Sequence, residues 1–199
     1  MANVPVIIFH SNYENYLKIN CEITSENNNV ILLGDETCER LGKINNVDFY
    51  NFNDFIDDEK MAYYKGYFKN YNSKGDFIWI WYFKLFSILE FLNQTGINSV
   101  FHIDSDNILL DNINLLEYKH ENSFFVLNDW DEFHMTGSIH SGLTSKKLYE
   151  LFADLYEDIF INKIFPNSSK TFTFISFAKK LLIELTCVSP IPSMFNKSS

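Results

Sequence analysis

The hydrophobic and polar positions fall into blocks that predict strands and helices in turn. Short apolar runs, rich in β-branched and aromatic residues, predict strands at residues 4–10, 30–33, 47–52, 99–104 and 124–128. Longer segments, several with apolar residues three or four positions apart, predict helices at residues 14–23, 57–71, 76–94, 145–162 and 174–185. The two kinds of element alternate, so the pattern predicts an α/β fold.

The first two runs are apolar on both faces, which is typical of central strands in a sheet covered by helices. About one helix of sequence separates them, which indicates a βαβ crossover and a parallel pair. The third run is more polar and predicts a more exposed strand. We therefore expect residues 1–199 to form a single domain with a mostly parallel sheet flanked by helices, and a frayed tail at residues 188–199.

The charge balance excludes one class of partner. The 199 residues include 26 acids and 16 bases, for a net charge of −10, and Arg40 is the single arginine. A nucleic-acid binder normally carries a basic stripe in which arginine makes bidentate contacts. We therefore expect no nucleic-acid partner, and any phosphate to be bound through a metal ion or backbone amides.

Cysteine usage and hydropathy bear on the compartment. Cys21, Cys38 and Cys187 are odd in number and lack CxxC spacing, so we interpret them as reduced, buried or half-buried thiols. No apolar run approaches the roughly 18 residues of a membrane span. The first nine residues also lack a basic segment followed by an apolar one. The sequence thus predicts a soluble, cytoplasmic protein with no signal peptide or transmembrane segment.

A pair of acids follows the fourth predicted strand. Asp104 and Asp106 flank Ser105, and residues i and i+2 of an extended chain project from the same side. Two carboxylates at a strand's carboxyl end are suitable ligands for Mg²⁺ or Mn²⁺, and ligands bind outside the carboxyl ends of strands in open α/β sheets. The alternative is a turn at the strand end whose acids are only solvated or capping.

Residues 101–109, which read FHIDSDNIL, resemble the metal-binding signature of GT-A-type glycosyltransferases that use nucleotide sugars. Residues 81–86 are similar to the aromatic helix before that motif, and residues 137–143 to a segment after it. The resemblance implies a GT-A-like (Rossmann-like) fold and a Mn²⁺ or Mg²⁺ cofactor. It also implies a nucleoside-diphosphate sugar as donor, with a UDP-sugar as the first choice, and transfer of a hexosyl or deoxyhexosyl group to a hydroxyl of a glycan.

The resemblance also implies roles for individual residues. Asp104 and Asp106 hold the metal, and Asp104 and Ser105 also contact the nucleotide sugar. Lys84 is the first candidate for reaching the diphosphate and Lys65 the second. The residues expected to cradle the base and ribose lie at the ends of the first two strands: Phe9, His10, Ser11 and Asp35.

A second acidic group follows the strand predicted at residues 124–128. Asp131 or Asp129 could accept the acceptor's proton and Trp130 could stack on a sugar, or the three could form a surface loop with Trp130 in the core. Three more candidates for contact with the donor or acceptor sugar lie near the N-terminus of the helix predicted from Ser145: His140, Ser141 and Gly142. The alternative is that these residues form a capping turn with a buried histidine. We interpret His102 as a core residue.

Two departures from the family pattern leave alternatives open. Related enzymes usually have an Arg or Lys on the helix before the motif to reach the diphosphate, and here the only candidates are Lys84 and, second to it, Lys65. Related enzymes often supply a further histidine ligand from a C-terminal strand, but no histidine follows Gly142. A C-terminal segment could be missing, the site could use only the Asp pair with or without weak activity, or the chain could be a catalytically degenerate nucleotide- or glycan-binding module. A haloacid-dehalogenase-like phosphatase is a further alternative, although its acid pair should lie near the N-terminus. Inverting and retaining chemistry are both open, with inverting favoured if Asp131 faces the site.

Overall fold

A computed structural model describes residues 3–69, 75–116, 123–124 and 141–162. The six strands in this part of the chain are β1 (Val6–His10), β2 (Val30–Gly34), β3 (Val47–Asn51), β4 (Ser99–Ile103), β5 (Ser123–Phe124) and β6 (Ser141–Ser145). The α-helices are α1 (Asn15–Thr24), α2 (Asp58–Lys69), α3 (Gly75–Thr95) and α4 (Lys146–Tyr156). Shorter helices occupy Glu36–Lys43, Phe52–Asp54 and Ile113–Leu115, and a π-helical turn at Glu157–Ile161 extends α4.

The strands form one mixed sheet in the order β3-β2-β1-β4-β6-β5. The first four strands in that order are parallel, with Ile8 opposite Leu32 on one side and Ile103 on the other. Strand β6 runs antiparallel to β4, and β5 runs antiparallel to β6. The sheet is therefore mostly parallel, as the sequence predicted, with two antiparallel strands at one side.

Helices pack on both faces of the sheet because the central strands are apolar on both faces. On one face α1 buries Leu17 and Cys21 in a cluster with Val6, Ile8 and Phe101. On the other face Phe83 of α3 lies against Phe9, with 6.1 Å between ring centroids. This arrangement confirms the predicted α/β class with a sheet flanked by helices.

Most predicted elements are found within two residues of their expected bounds. Gly96 follows α3 with φ +73°, a conformation that glycine adopts without a Cβ clash, so it ends the helix as expected. Strand β6 was missed, because its serines and Gly142 have low strand propensity and were interpreted as a turn before α4. Full pairing with β4 outweighs that local preference.

Three further expectations concern the cysteines, membrane crossing and the C-terminal residues. Cys21 and Cys38 are buried free thiols, as predicted, whereas Cys187 lies outside the described residues. No helix in the described part of the chain is both long and apolar enough to cross a membrane. The predicted helix at residues 174–185 and the tail at residues 188–199 also lie outside the described residues.

Candidate functional site

The sheet has a topological switch point between β1 and β4. The chain progresses from β1 through β2 to β3 in one direction, and then returns to place β4 on the other side of β1. In open α/β sheets a crevice forms outside the carboxyl ends of the two strands at such a point, and ligands bind there. Here those ends carry His10 of β1 and Asp104, which directly follows β4.

The acid pair lies in a β-turn directly after β4. The amide of Asn107 donates to the carbonyl oxygen of Asp104 at 2.9 Å, so Asp104 and Asp106 are the first and third residues of the turn. The assumption of an extended chain at this point was therefore wrong. Asp, Ser and Asn favour turns because their side chains can bond to nearby backbone groups, and here that preference ends the strand at Ile103.

Lys84 connects α3 to the acid turn. Its Nζ donates to Oδ1 of Asp104 at 2.6 Å, and the two side chains are 11% and 18% exposed. The ammonium also lies 4.8 Å from the ring centroid of Trp81, a distance suited to a cation–π contact. A lysine predicted to reach a diphosphate is thus held beside the first acid of the motif.

Two histidines flank the same turn. His102 is fully buried in β4, which agrees with its interpretation as a core residue, and its Nε2 lies 3.9 Å from Oδ1 of Asp104. His10 contacts Ser105 from β1, with 2.9 Å between Nδ1 and the hydroxyl oxygen. The β1 end and the acid turn are therefore joined across the switch point.

The hydrogen bonds of His10 define its neutral form. Its Nε2 lies 3.1 Å from the carbonyl oxygen of Asn12, which can only accept, so Nε2 carries the hydrogen. In the neutral ring Nδ1 then accepts from Ser105. Burial lowers the pKa of His10 and outweighs the opposing effects of the Asn12 carbonyl, Glu14 and Asp35, so the neutral form is favoured.

The other residues expected near the nucleotide differ in what they offer a ligand. The ring of Phe9 is 8% exposed and stacks on Phe52 at 5.2 Å, so it packs in the core, while its role toward a nucleotide stays a prediction. Ser11 is exposed just beyond β1.

A cavity of about 360 Å³ lies toward the carboxyl end of β3. Its lining residues are Glu36, Glu39, Phe49, Tyr50, Asn51, Asp54 and Phe55.

Asp35 caps the short helix Glu36–Lys43. Its Oδ1 accepts from the amide and hydroxyl of Thr37, and its Oδ2 accepts from the amide of Asn12 at 2.6 Å. Partial burial alone would raise the pKa of Asp35, but these hydrogen bonds outweigh it and lower the pKa below the usual 3.8. Most of the carboxylate's accepting capacity is thus used within the protein, while its role toward a nucleotide stays a prediction.

We expect Asp35→Ala to lower the free energy of unfolding by about 1–2 kcal/mol at pH 7, a typical loss for an N-cap. Because the folded-state pKa is lowered, the carboxylate stabilises the fold above its ordinary pKa. That contribution disappears as the pH falls through the lowered value. Urea unfolding at pH 7 and at pH 3 should therefore give a smaller difference between wild type and variant at pH 3. Asp35→Asn, which keeps the accepting Oδ1, is the control, and an equal loss in both variants would contradict the capping role.

The acceptor-side candidates are only partly described. Ser141 pairs with Ile103 and Gly142 with His102, so Ser141 lies beside the carboxyl end of β4. Both residues belong to β6, and α4 begins only at Lys146, which is about 14 Å along the chain from Gly142 and about 17 Å from Ser141 at about 3.4 Å per residue. The expectation that their amides lie at a helix N-terminus was therefore wrong. The remaining candidates lie outside the described residues: Asp129, Asp131, Trp130 and His140.

Residues of α1 and the turn after it were missed by the sequence analysis. Asn20 is 1% exposed and donates to the carbonyl oxygens of Ser105 and Asn107, at 2.8 and 2.7 Å. Thr24 and Asn28, each four positions further on, are also buried and bond to the segment after the acid turn. A polar residue every fourth position on the face that carries Leu17 and Cys21 was the available signal, since such positions are normally apolar.

The described side chains include no group of three or more His, Cys, Asp or Glu residues positioned to hold a metal ion. Asp104 and Asp106 are two carboxylates in one turn. Mg²⁺ is commonly bound by one or two carboxylates together with waters and substrate phosphates. Two carboxylates of this kind are therefore compatible with a hard divalent ion, whose binding here stays a prediction.

Comparisons with known proteins support the fold class. Neither a protein-family model nor a curated protein sequence matches the chain. Among solved structures, a chain described as "PaToxG Glycosyltransferase" matches with a TM-score of 0.55 and 11% sequence identity. The alignment covers 92% of this chain and 70% of that one. At this identity the similarity concerns the fold, which is shared with a glycosyltransferase.

Proposed function

We propose that this protein is a metal-dependent glycosyltransferase of the GT-A type. It would move a sugar from a nucleoside diphosphate to a hydroxyl of a glycan acceptor. The observation that carries the proposal is the acid turn at the switch point, where Lys84 bonds Asp104 and His10 contacts Ser105. The structural similarity to a glycosyltransferase supports the same class.

Asp104 and Asp106 are the residues that would hold Mn²⁺ or Mg²⁺. When bound, such an ion neutralises negative charge on the diphosphate leaving group. The carboxylates alone would repel a diphosphate, and Lys84 offsets one of these two charges. We infer that Lys84 also donates to a diphosphate oxygen, because its ammonium has three hydrogens and is already held at the crevice.

The acceptor hydroxyl must lose a proton as the new glycosidic bond forms. We propose Asp131, or else Asp129, as the base that receives it, which corresponds to inversion at the anomeric carbon. Trp130, His140, Ser141 and Gly142 are the proposed contacts of the donor and acceptor sugars, and of these the described Ser141 lies beside the end of β4. The base and ribose would lie near Ser11 and Asp35, with a UDP-sugar as the first donor to test.

Calorimetric titration with UDP, GDP and dTDP, in Mn²⁺ and then in EDTA, tests the proposal. We expect one nucleotide to bind in Mn²⁺ and to lose its binding in EDTA. Its sugar conjugates should then be hydrolysed or transferred when glycan acceptors are supplied. The absence of metal-dependent binding by any of the three would contradict the proposed metal site.

One observation favours a second candidate function. Lys84 Nζ already lies 2.6 Å from Asp104 Oδ1, so a protein cation satisfies part of the site. A catalytically degenerate module could use that ammonium to bind a nucleotide or glycan with neither a metal nor turnover. Binding that persists in EDTA, with no release of sugar from any donor, would select this candidate. Release of phosphate from an aryl phosphate would instead favour the phosphatase alternative.

A further inference from the structure

We propose that Asn20 is a positioning residue that holds the acid turn in the conformation required for metal binding. This inference rests on the proposed function, because it concerns the same Asp104 and Asp106. Asn20 lies on α1, outside the motif and its strand, and contacts neither acid side chain in the bonds described below. Its effect would be exerted through the backbone of the turn.

The two amide hydrogens of Asn20 bracket Asp106. One is donated to the carbonyl oxygen of Ser105 at 2.8 Å and the other to that of Asn107 at 2.7 Å. These are the carbonyl groups of the residues on either side of Asp106. Because both are held by one planar group, the backbone that orients the Asp106 carboxylate has little freedom to rotate.

The orientation of the Asn20 amide is itself determined by a chain of hydrogen bonds. The amide of Leu109 can only donate, so Thr24 Oγ1 accepts from it at 3.2 Å. The Thr24 hydroxyl then donates to Oδ1 of Asn20 at 2.8 Å. The Asn20 nitrogen must therefore face the two carbonyl groups, and the chain of bonds ties both ends of the segment from Ser105 to Leu109 to α1.

Lys84 and His10 hold the start of the turn through Asp104 and Ser105. Asp106 itself is exposed, and the Asn20 bonds act on the peptide groups on either side of it. Exposed turns of this kind sample several conformations unless side chains fix them. A metal ion bound by two carboxylates requires both in one arrangement, so a mobile turn would weaken binding by the free energy of ordering it.

Asn28 is a matched control for Asn20. It is also an asparagine, 5% exposed, and makes three hydrogen bonds: to the carbonyl oxygens of Thr24 and Asp111 and from the amide of Ile113. The difference is location, because Asn28 holds residues 111–113 and leaves the acid turn untouched. Asn28→Ala and Asn20→Ala should therefore destabilise the fold by similar amounts but differ in metal binding.

The test measures Mn²⁺ affinity by electron paramagnetic resonance of free Mn²⁺, in the presence of the nucleotide that the calorimetry selects. We expect Asn20→Ala to weaken Mn²⁺ binding by about 10- to 100-fold, the usual range for residues that support metal ligands. Asn28→Ala should leave the Mn²⁺ affinity near that of wild type. In the metal-free protein, amide hydrogen exchange at Asn107 should become faster in Asn20→Ala only.

The outcomes separate this inference from the proposed function. If wild type binds no Mn²⁺ with any nucleotide, the proposed function fails and this inference fails with it. If wild type binds Mn²⁺ and the two alanine variants bind it equally well, or equally poorly, only the positioning role is overturned. Should Asn20→Ala not fold, Thr24→Val removes the hydroxyl without changing the shape. It should then weaken Mn²⁺ binding, while Thr24→Ser should not, and equal affinities in those two variants would also overturn the role.

Discussion

Asp104→Asn and Asp106→Asn are each expected to weaken Mn²⁺-dependent nucleotide binding by more than about a hundredfold. Removal of residues that merely support metal ligands already costs about 10- to 100-fold, and a direct ligand contributes more. Both substitutions keep the size of the side chain, and the amide introduced by Asp104→Asn would retain an oxygen to accept from Lys84. The loss should therefore reflect missing negative charge at the metal rather than a changed fold.

The control for these variants is Asp111→Asn, which removes the same charge from an exposed position in the segment after the turn. It should bind nucleotide as wild type does in calorimetry with Mn²⁺. Thermal unfolding of Asp106→Asn should match wild type to within about 0.5 kcal/mol, since the residue is exposed. Undiminished nucleotide binding by either Asp104→Asn or Asp106→Asn would remove that acid from the metal site.

Phe101→Ala is expected to cause the largest loss of stability, about 3–5 kcal/mol, which is typical when a fully buried phenylalanine is truncated. Phe101 lies in the middle of β4, is fully buried, and packs in the cluster shared with α1. Its truncation leaves a cavity beneath the strand that carries the acid turn. Urea unfolding followed by circular dichroism measures the change.

Phe49→Ala provides the comparison, because Phe49 is only half-buried and lies on the edge strand β3. Its truncation removes less surface from a protein interior and should cost less free energy. If the two variants were equally stable, the deeper burial of Phe101 would not contribute to stability as expected. Nucleotide binding measured on the same two variants would show how much loss of stability leaves binding unchanged.

The central strands were predictable because their hydrophobic pattern is visible in the local sequence alone. Residues 30–33 are apolar on both faces, and only a strand covered on both sides hides such a run. Strand β6 carries no such signal, since Ser141 and Gly142 are stabilised there by pairing with β4, which is a long-range contact. Local preference predicts the former kind of strand and fails for the latter.

The candidate site was predictable in location but not in its internal bonding. Because the two acids follow a predicted strand, the sequence placed them at the carboxyl ends of the strands, and in the structure they lie at the switch point. The contact of Lys84 with Asp104 depends on how α3 packs, and the bonds of Asn20 depend on how α1 faces the turn. Neither contact is local in sequence, because 20 residues separate one pair and 85 the other.

The pairing of the antiparallel strands has a consequence for engineering the protein. Phe124 is paired with Gly142, and β5 runs in the same direction as β4. Phe124 and Ser141 therefore both lie at the end of the sheet that carries the acid turn. Residues 125–140 are therefore attached at both ends to that edge. The two attachment points form a graft site. Substitutions in this segment that keep Asp129 and Asp131 could be made there, to test its proposed role in acceptor choice, without altering the register of a central strand.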